Sequence, residues 1–81
     1  MTKEIIYIYA PLCPKCVRIR KWLKELGRTN PEIQVTKYNM ATQFREVKKY
    51  NIRTIPTLII GEIRLDSWIK EEEYINAIKQ L

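Results

Sequence analysis

An α/β fold with its elements in the order βαβαββα is what this sequence predicts, on three observations. Ile5-Ile6-Tyr7-Ile8-Tyr9 is β-branched and aromatic throughout, the composition of a strand buried on both faces. Behind it, Pro14 opens a basic stretch whose apolar residues recur with helical spacing. Toward the end, Thr57-Leu58-Ile59-Ile60 and Ile63-Arg64-Leu65 flank Gly61-Glu62, the pattern of a tight hairpin. A chain of 81 residues is expected to form one domain, residues 1–81, with too little surface to bury for a separate cofactor domain.

Each element has its own local signal. Ala10-Pro11-Leu12 breaks the first strand. Val17, Ile19, Leu23 and Leu26 give the first helix an apolar face, and Gly27 is placed to end it, so this helix is expected over Pro14 to Leu26. Asn30-Pro31 marks a turn, and Ile33 to Tyr38 then alternates as a half-buried strand. Thr42 is expected to cap a short second helix carrying Phe44, Val47 and Lys48 up to Tyr50. A loop, Asn51 to Ile55, leads to Pro56 and the hairpin. Asp66-Ser67 is expected to cap a last helix containing Ile69, Tyr74, Ile75, Ile78 and Leu81.

Composition narrows the function classes. Hydrophobic residues make up 46% and charged residues 30%, as in an ordinary soluble globule, and no apolar run could span a membrane. Met1-Thr2-Lys3-Glu4 does not open a signal peptide, so a cytoplasmic location is expected. In a reducing cytosol, a disulfide-capable pair is more often catalytic than structural. The net charge of +6 is concentrated in Lys15, Arg18, Arg20, Lys21, Lys24 and Arg28 of the first helix. Nucleic acid is not the expected partner: Tyr7, Tyr9 and Phe44 fall at expected core positions, not on a stacking platform. A solvated helix face, or steering toward an acidic protein, accounts better for the charge. Trp22 and Trp68 are expected to pack.

The chemistry is concentrated in Cys13-Pro14-Lys15-Cys16. A thiol attacks a disulfide as its thiolate, and unpaired N–H groups at a helix N-terminus favour an anion. Cys13 is expected at that N-cap, with Pro14 suited to the first helical position because its missing N–H has no intrahelical partner to lose. Two intervening residues set Cys16 one turn on, within reach of a mixed disulfide formed at Cys13. Lys15 and Arg18 add positive charge nearby. Cys13 is thus the attacking thiol and Cys16 the resolving one, with their disulfide as the redox group and no bound cofactor. A structural zinc ion wants four ligands, whereas this chain has two cysteines and no histidine. A zinc-bridged dimer of a non-catalytic binding module is the alternative, and a metal-free site is expected.

Cys-Pro-Lys-Cys followed by Thr54-Ile55-Pro56-Thr57, in this element order, resembles the thioredoxin and glutaredoxin superfamily along essentially the whole chain. The resemblance implies a four-stranded mixed sheet flanked by three helices, two on one face and one on the other. It implies that Pro56 is cis and faces the thiols, that the Ile55 backbone binds extended substrate, and that Pro14, Lys15 and Thr54 also contact it. Pro14 after the first cysteine is similar to glutaredoxins, but Leu65-Asp66-Ser67 stands where the glutathione site has a glycine pair. Leu12 replaces the tryptophan of thioredoxins, and Tyr7 replaces their buried aspartate under the thiols. The segment from Gly61-Glu62 to Asn76 is similar to small glutaredoxin-like redoxins that couple thioredoxin reductase to ribonucleotide reductase. A thioredoxin reductase-like flavoprotein, more than glutathione, is therefore the expected electron donor. Disulfide-containing proteins are the expected substrates of a monomer.

Overall fold

The computed structural model describes every residue except Met1, Thr2, Leu12, Arg53 and Ser67. Its elements are β1 (Lys3–Tyr9), α1 (Pro14–Thr29), β2 (Ile33–Asn39), α2 (Phe44–Lys48), β3 (Thr57–Ile60), β4 (Ile63–Asp66) and α3 (Glu71–Lys79), the predicted order. The four strands form one sheet in the order β2-β1-β3-β4, with β1 parallel to β2 and antiparallel to β3. The hairpin closes at Gly61, whose φ of 61° is a conformation glycine adopts without a Cβ penalty.

Alternation along β1 divides the core into two layers. Ile5 and Tyr7 point to one face, where they join Leu58 and Ile60 of β3, Cys16, Ile19, Leu23 and Leu26 of α1, and Tyr74 and Ala77 of α3. Ile8 points the other way, toward the side that buries Val47 of α2. Two helices on one face and one on the other is the implied arrangement. Burying each of Ile19, Leu23 and Leu26 contributes about 1.5–3 kcal/mol, which anchors α1 by one stripe.

Several boundaries differ from the sequence expectation. Gly27 does not end α1. The helix continues to Thr29, the Asn30 N–H closes on the Leu26 carbonyl at 2.7 Å, and Glu25 pairs with Arg28 on the last turn. Pro31, which disfavours helical backbone before it, is the effective stop. Val17 is 54% exposed, off the apolar stripe. Thr42 does not cap α2: Gln43 holds the N-cap position and its Oε1 accepts from the Asn39 N–H at 2.9 Å. Phe44 is exposed, because the short α2 buries only Val47.

At the last helix, Asp66 belongs to β4 and caps nothing, while Ser67 lies outside the described residues. Lys70 is the N-cap of α3, its N–H donating to Glu73 Oε1 at 3.2 Å. Ile69 precedes the helix and is buried with Tyr74, at the two positions of a hydrophobic staple. Ile75 is partly exposed. Among the described residues, no helix is long and apolar enough to cross a membrane.

Gly27 offers a direct test of the longer helix. A Cβ there would meet nothing within 4 Å, and glycine inside a helix costs about 1 kcal/mol relative to alanine. Gly27→Ala should raise the unfolding free energy read from urea denaturation by an amount approaching that figure. A helix ending at Leu26 would gain nothing.

Candidate active site

The register of β1 and β3 assembles the site. Ile8 pairs with Thr57, so Pro56, just before β3, lies at the same end of the sheet as Tyr9 and the turn leading to Cys13. Helix α1 starts there. Cys13 is its N-cap, with extended backbone (φ −100°, ψ 107°), and Pro14 takes the first turn. The Cys16 N–H donates to the Cys13 carbonyl at 3.1 Å, and the two cysteines form a disulfide across a Cα–Cα distance of 5.3 Å. No acidic residue occupies the first turn of α1. The two cysteines differ in burial: Cys13 is half-buried, whereas Cys16 is wholly buried in the core.

Beneath the pair, the Tyr7 hydroxyl donates to the Cys16 carbonyl at 3.2 Å. Burial pushes the Tyr7 phenol up to about 12, against a smaller opposing influence of Arg20, so it remains a donor at physiological pH. Thr57 is the buried polar residue among those described, and its Oγ1 donates to the Thr54 carbonyl at 2.8 Å. That bond spans the turn containing the Ile55-Pro56 peptide, which is cis as the resemblance implies. Pro56 is buried, Ile55 is half-buried and Thr54 is exposed.

The loop before Pro56 is held from the edge of the sheet. Arg64 of β4 donates from Nη1 to the Tyr50 carbonyl at 2.8 Å and from Nη2 to the Asn51 carbonyl at 2.9 Å. Asn51 has a φ of 53°, in the left-handed region that asparagine tolerates better than most residues. Nothing local in the sequence marks Arg64 as a loop anchor, since its acceptors lie 13 and 14 positions earlier.

The cations are distributed differently from the sequence expectation. Arg18 is engaged elsewhere: its guanidinium lies 5.2 Å from the Trp22 ring centroid and 5.5 Å from that of Trp68. Trp22 in turn stacks on Tyr74 with centroids 5.0 Å apart, while Trp68 is exposed and packs little apart from that cation. Lys15 is exposed on the first turn. The basic residue lining the same shallow depression as Cys13, Pro14 and Val17 is Arg20. Cys13, Val17 and Arg20 fall at i, i+4 and i+7, a spacing that could have singled it out. The tryptophan replacement at Leu12 lies outside the described residues.

A family model described as Thioredoxin matches residues 2–79. No curated protein matches the sequence. Among solved structures, thioredoxin O2 from Arabidopsis thaliana in its oxidised state is similar at 20% identity and a TM-score of 0.84, over 99% of this chain and 75% of that one. Mitochondrial thioredoxin 3 from Saccharomyces cerevisiae, oxidised form, gives 20% identity and a TM-score of 0.85, over 99% and 79%. Thioredoxin 1 from Thermosipho africanus TCF52B gives 20% identity and 0.82, over 95% and 91%.

Alkaline pH tests the buried phenols. Tyr7 and Tyr74 are both pushed by burial from 10.0 to about 12. Between those values the unfolded chain has lost phenol protons that the folded one retains, so stability falls as pH rises through that window and is unaffected by these groups below it. Urea denaturation from pH 9 to 12 should show a shallower decline in Tyr7→Phe and in Tyr74→Phe than in the parent. Equal slopes in all three would mean that neither phenol is protected.

Proposed function

The chain belongs to the thioredoxin family, and on that premise we propose that it is a dithiol–disulfide oxidoreductase of the small glutaredoxin-like kind. The observation that carries the reading is the unequal burial of the two cysteines in one helical turn. The half-buried Cys13, at a helix N-terminus without a neighbouring acid, is the nucleophile; the terminal N–H groups and Lys15 favour its thiolate. In the reduced protein this thiolate attacks one sulfur of a substrate disulfide, forming a mixed disulfide and expelling the other sulfur as a thiolate. Cys16 then gives up its proton and attacks Cys13 Sγ. The Cys13–Cys16 disulfide forms, the second substrate thiol leaves, and two electrons have passed to the substrate.

Tyr7 holds the turn by its bond to the Cys16 carbonyl, the neutral replacement for a buried carboxylate. The backbone at Ile55, beside Pro56, receives the extended substrate, with Pro14, Lys15 and Thr54 at the margins. Regeneration falls to a thioredoxin reductase-like flavoprotein in the cytoplasm. Asp66 ends β4 after Leu65, where a glutathione site would need a glycine pair, which supports a flavoprotein over glutathione.

The roles of the two thiols are separable. Cys16→Ser should accumulate covalent complexes through Cys13 with a disulfide-bonded substrate such as insulin, seen on non-reducing gels, and Cys13→Ser should accumulate none. Equal trapping by both would reverse or abolish the assignment. Insulin reduction should respond to NADPH with a thioredoxin reductase more than to glutathione with its reductase; the opposite ranking would return the protein to the glutaredoxins proper.

A further inference from the structure

The exposed stripe that α1 presents beside Cys13 is not accounted for by thiol chemistry alone. It consists of Pro14, Val17 and Arg20 around one depression that also takes in Cys13. Val17 is 54% exposed, an apolar side chain left uncovered next to a nucleophile. Arg20 makes no hydrogen bond or ion pair among the described residues, whereas Arg18 is held by two indoles, Arg28 by Glu25 and Arg64 by two carbonyls. Of these guanidiniums, the one beside the attacking sulfur is the one with neither an aromatic ring nor a hydrogen-bond acceptor against it among the described residues.

We infer that Val17 and Arg20 form a subsite selecting disulfides flanked by a carboxylate. The inference rests on the oxidoreductase reading and adds the substrate's chemical class to it. Positions 13 and 20 are about 10 Å apart along the helix axis, and helical side chains lean toward the N-terminus, so Arg20 reaches back toward Cys13. An extended peptide advances about 3.3–3.6 Å per residue. A Glu or Asp two or three residues from the attacked half-cystine therefore meets the guanidinium while the intervening side chain covers Val17. No acidic residue in the first turn of α1 competes for Arg20, and the net charge of +6 favours such a partner on approach.

The test separates the local cation from the overall charge. Pre-reduced protein is mixed in single turnover with three disulfides: a cystine-bridged peptide with Glu two residues to either side of one half-cystine, the same peptide with Lys there, and the neutral 2-hydroxyethyl disulfide. The parent should reduce the Glu peptide faster than the Lys peptide by about two- to fivefold, the range for an exposed ion pair. This ratio should shrink toward one in about 0.5 M salt, where screening is nearly complete. Arg20→Gln should lower the ratio at low salt; any change in the Cys13 thiolate slows all three disulfides alike, is read from the neutral one, and cancels from the ratio. Lys79→Gln removes the same charge from the far end of α3, next to Leu81, which neighbours the Gly61 turn at the opposite end of β3 from Pro56, and should preserve the ratio. Equal ratios in the parent and Arg20→Gln, or equal losses in both variants, would overturn the subsite and leave the oxidoreductase standing. Failure to reduce even the neutral disulfide would instead overturn the oxidoreductase reading and the subsite with it.

Discussion

The antiparallel pairing of Ile8 with Thr57 brings together two loops that lie far apart in the chain. One runs from Tyr9 into Cys13, the other from Asn51 through Pro56. Neither is positioned by its own hydrogen bonds alone. The first is fixed because β1, an inner strand, pairs on both sides and buries Ile5, Tyr7 and Ile8 on its two faces. The second is fixed at its near end by β3 and at its far end by Arg64. Slipping β1 by one residue against β3 would exchange its two faces, turning Tyr7 away from α1 and the Cys16 carbonyl it serves. Register is thus the quantity that the geometry of the site inherits.

Helix α1 divides its circumference among three tasks. One stripe, Cys16, Ile19, Leu23 and Leu26, is in the core. A second, Arg18 and Trp22, joins Trp68 and Tyr74 in a run of rings and one guanidinium that ties the helix to the β4–α3 connection and to α3. The third, Cys13, Val17 and Arg20, faces solvent. Its basic character is therefore not a uniform solvated face: some of the cations are structural and others are free.

Strong periodic signals were legible in the sequence, and signals that depend on tertiary contact were not. The element order, the hairpin at Gly61 and the cysteine pair at a helix start all rest on local pattern. Gly27 misled because an isolated glycine is a weak stop beside Pro31, and Asp66 misled because a capping residue type was equally serviceable as the end of a strand. Arg18 and Arg20 look alike in sequence; their separate roles depend on Trp68, which folding brings to one of them. Phe44 read as core by its type, yet α2 is too short to turn more than Val47 inward.

The covalent link between Cys13 and Cys16 spans a sequence separation of only 3. A ring this small restrains few conformations of the unfolded chain, about 2 kcal/mol on the loop-entropy account, far less than the combined burial along α1. It joins residues of one helical turn and staples no strand to any helix. Neither the strand pairings nor the stack of Trp22 on Tyr74 runs through it. On the oxidoreductase reading proposed above, the bond that the reaction makes and breaks is thus one on which the architecture draws little: chemistry and fold rest on separate interactions.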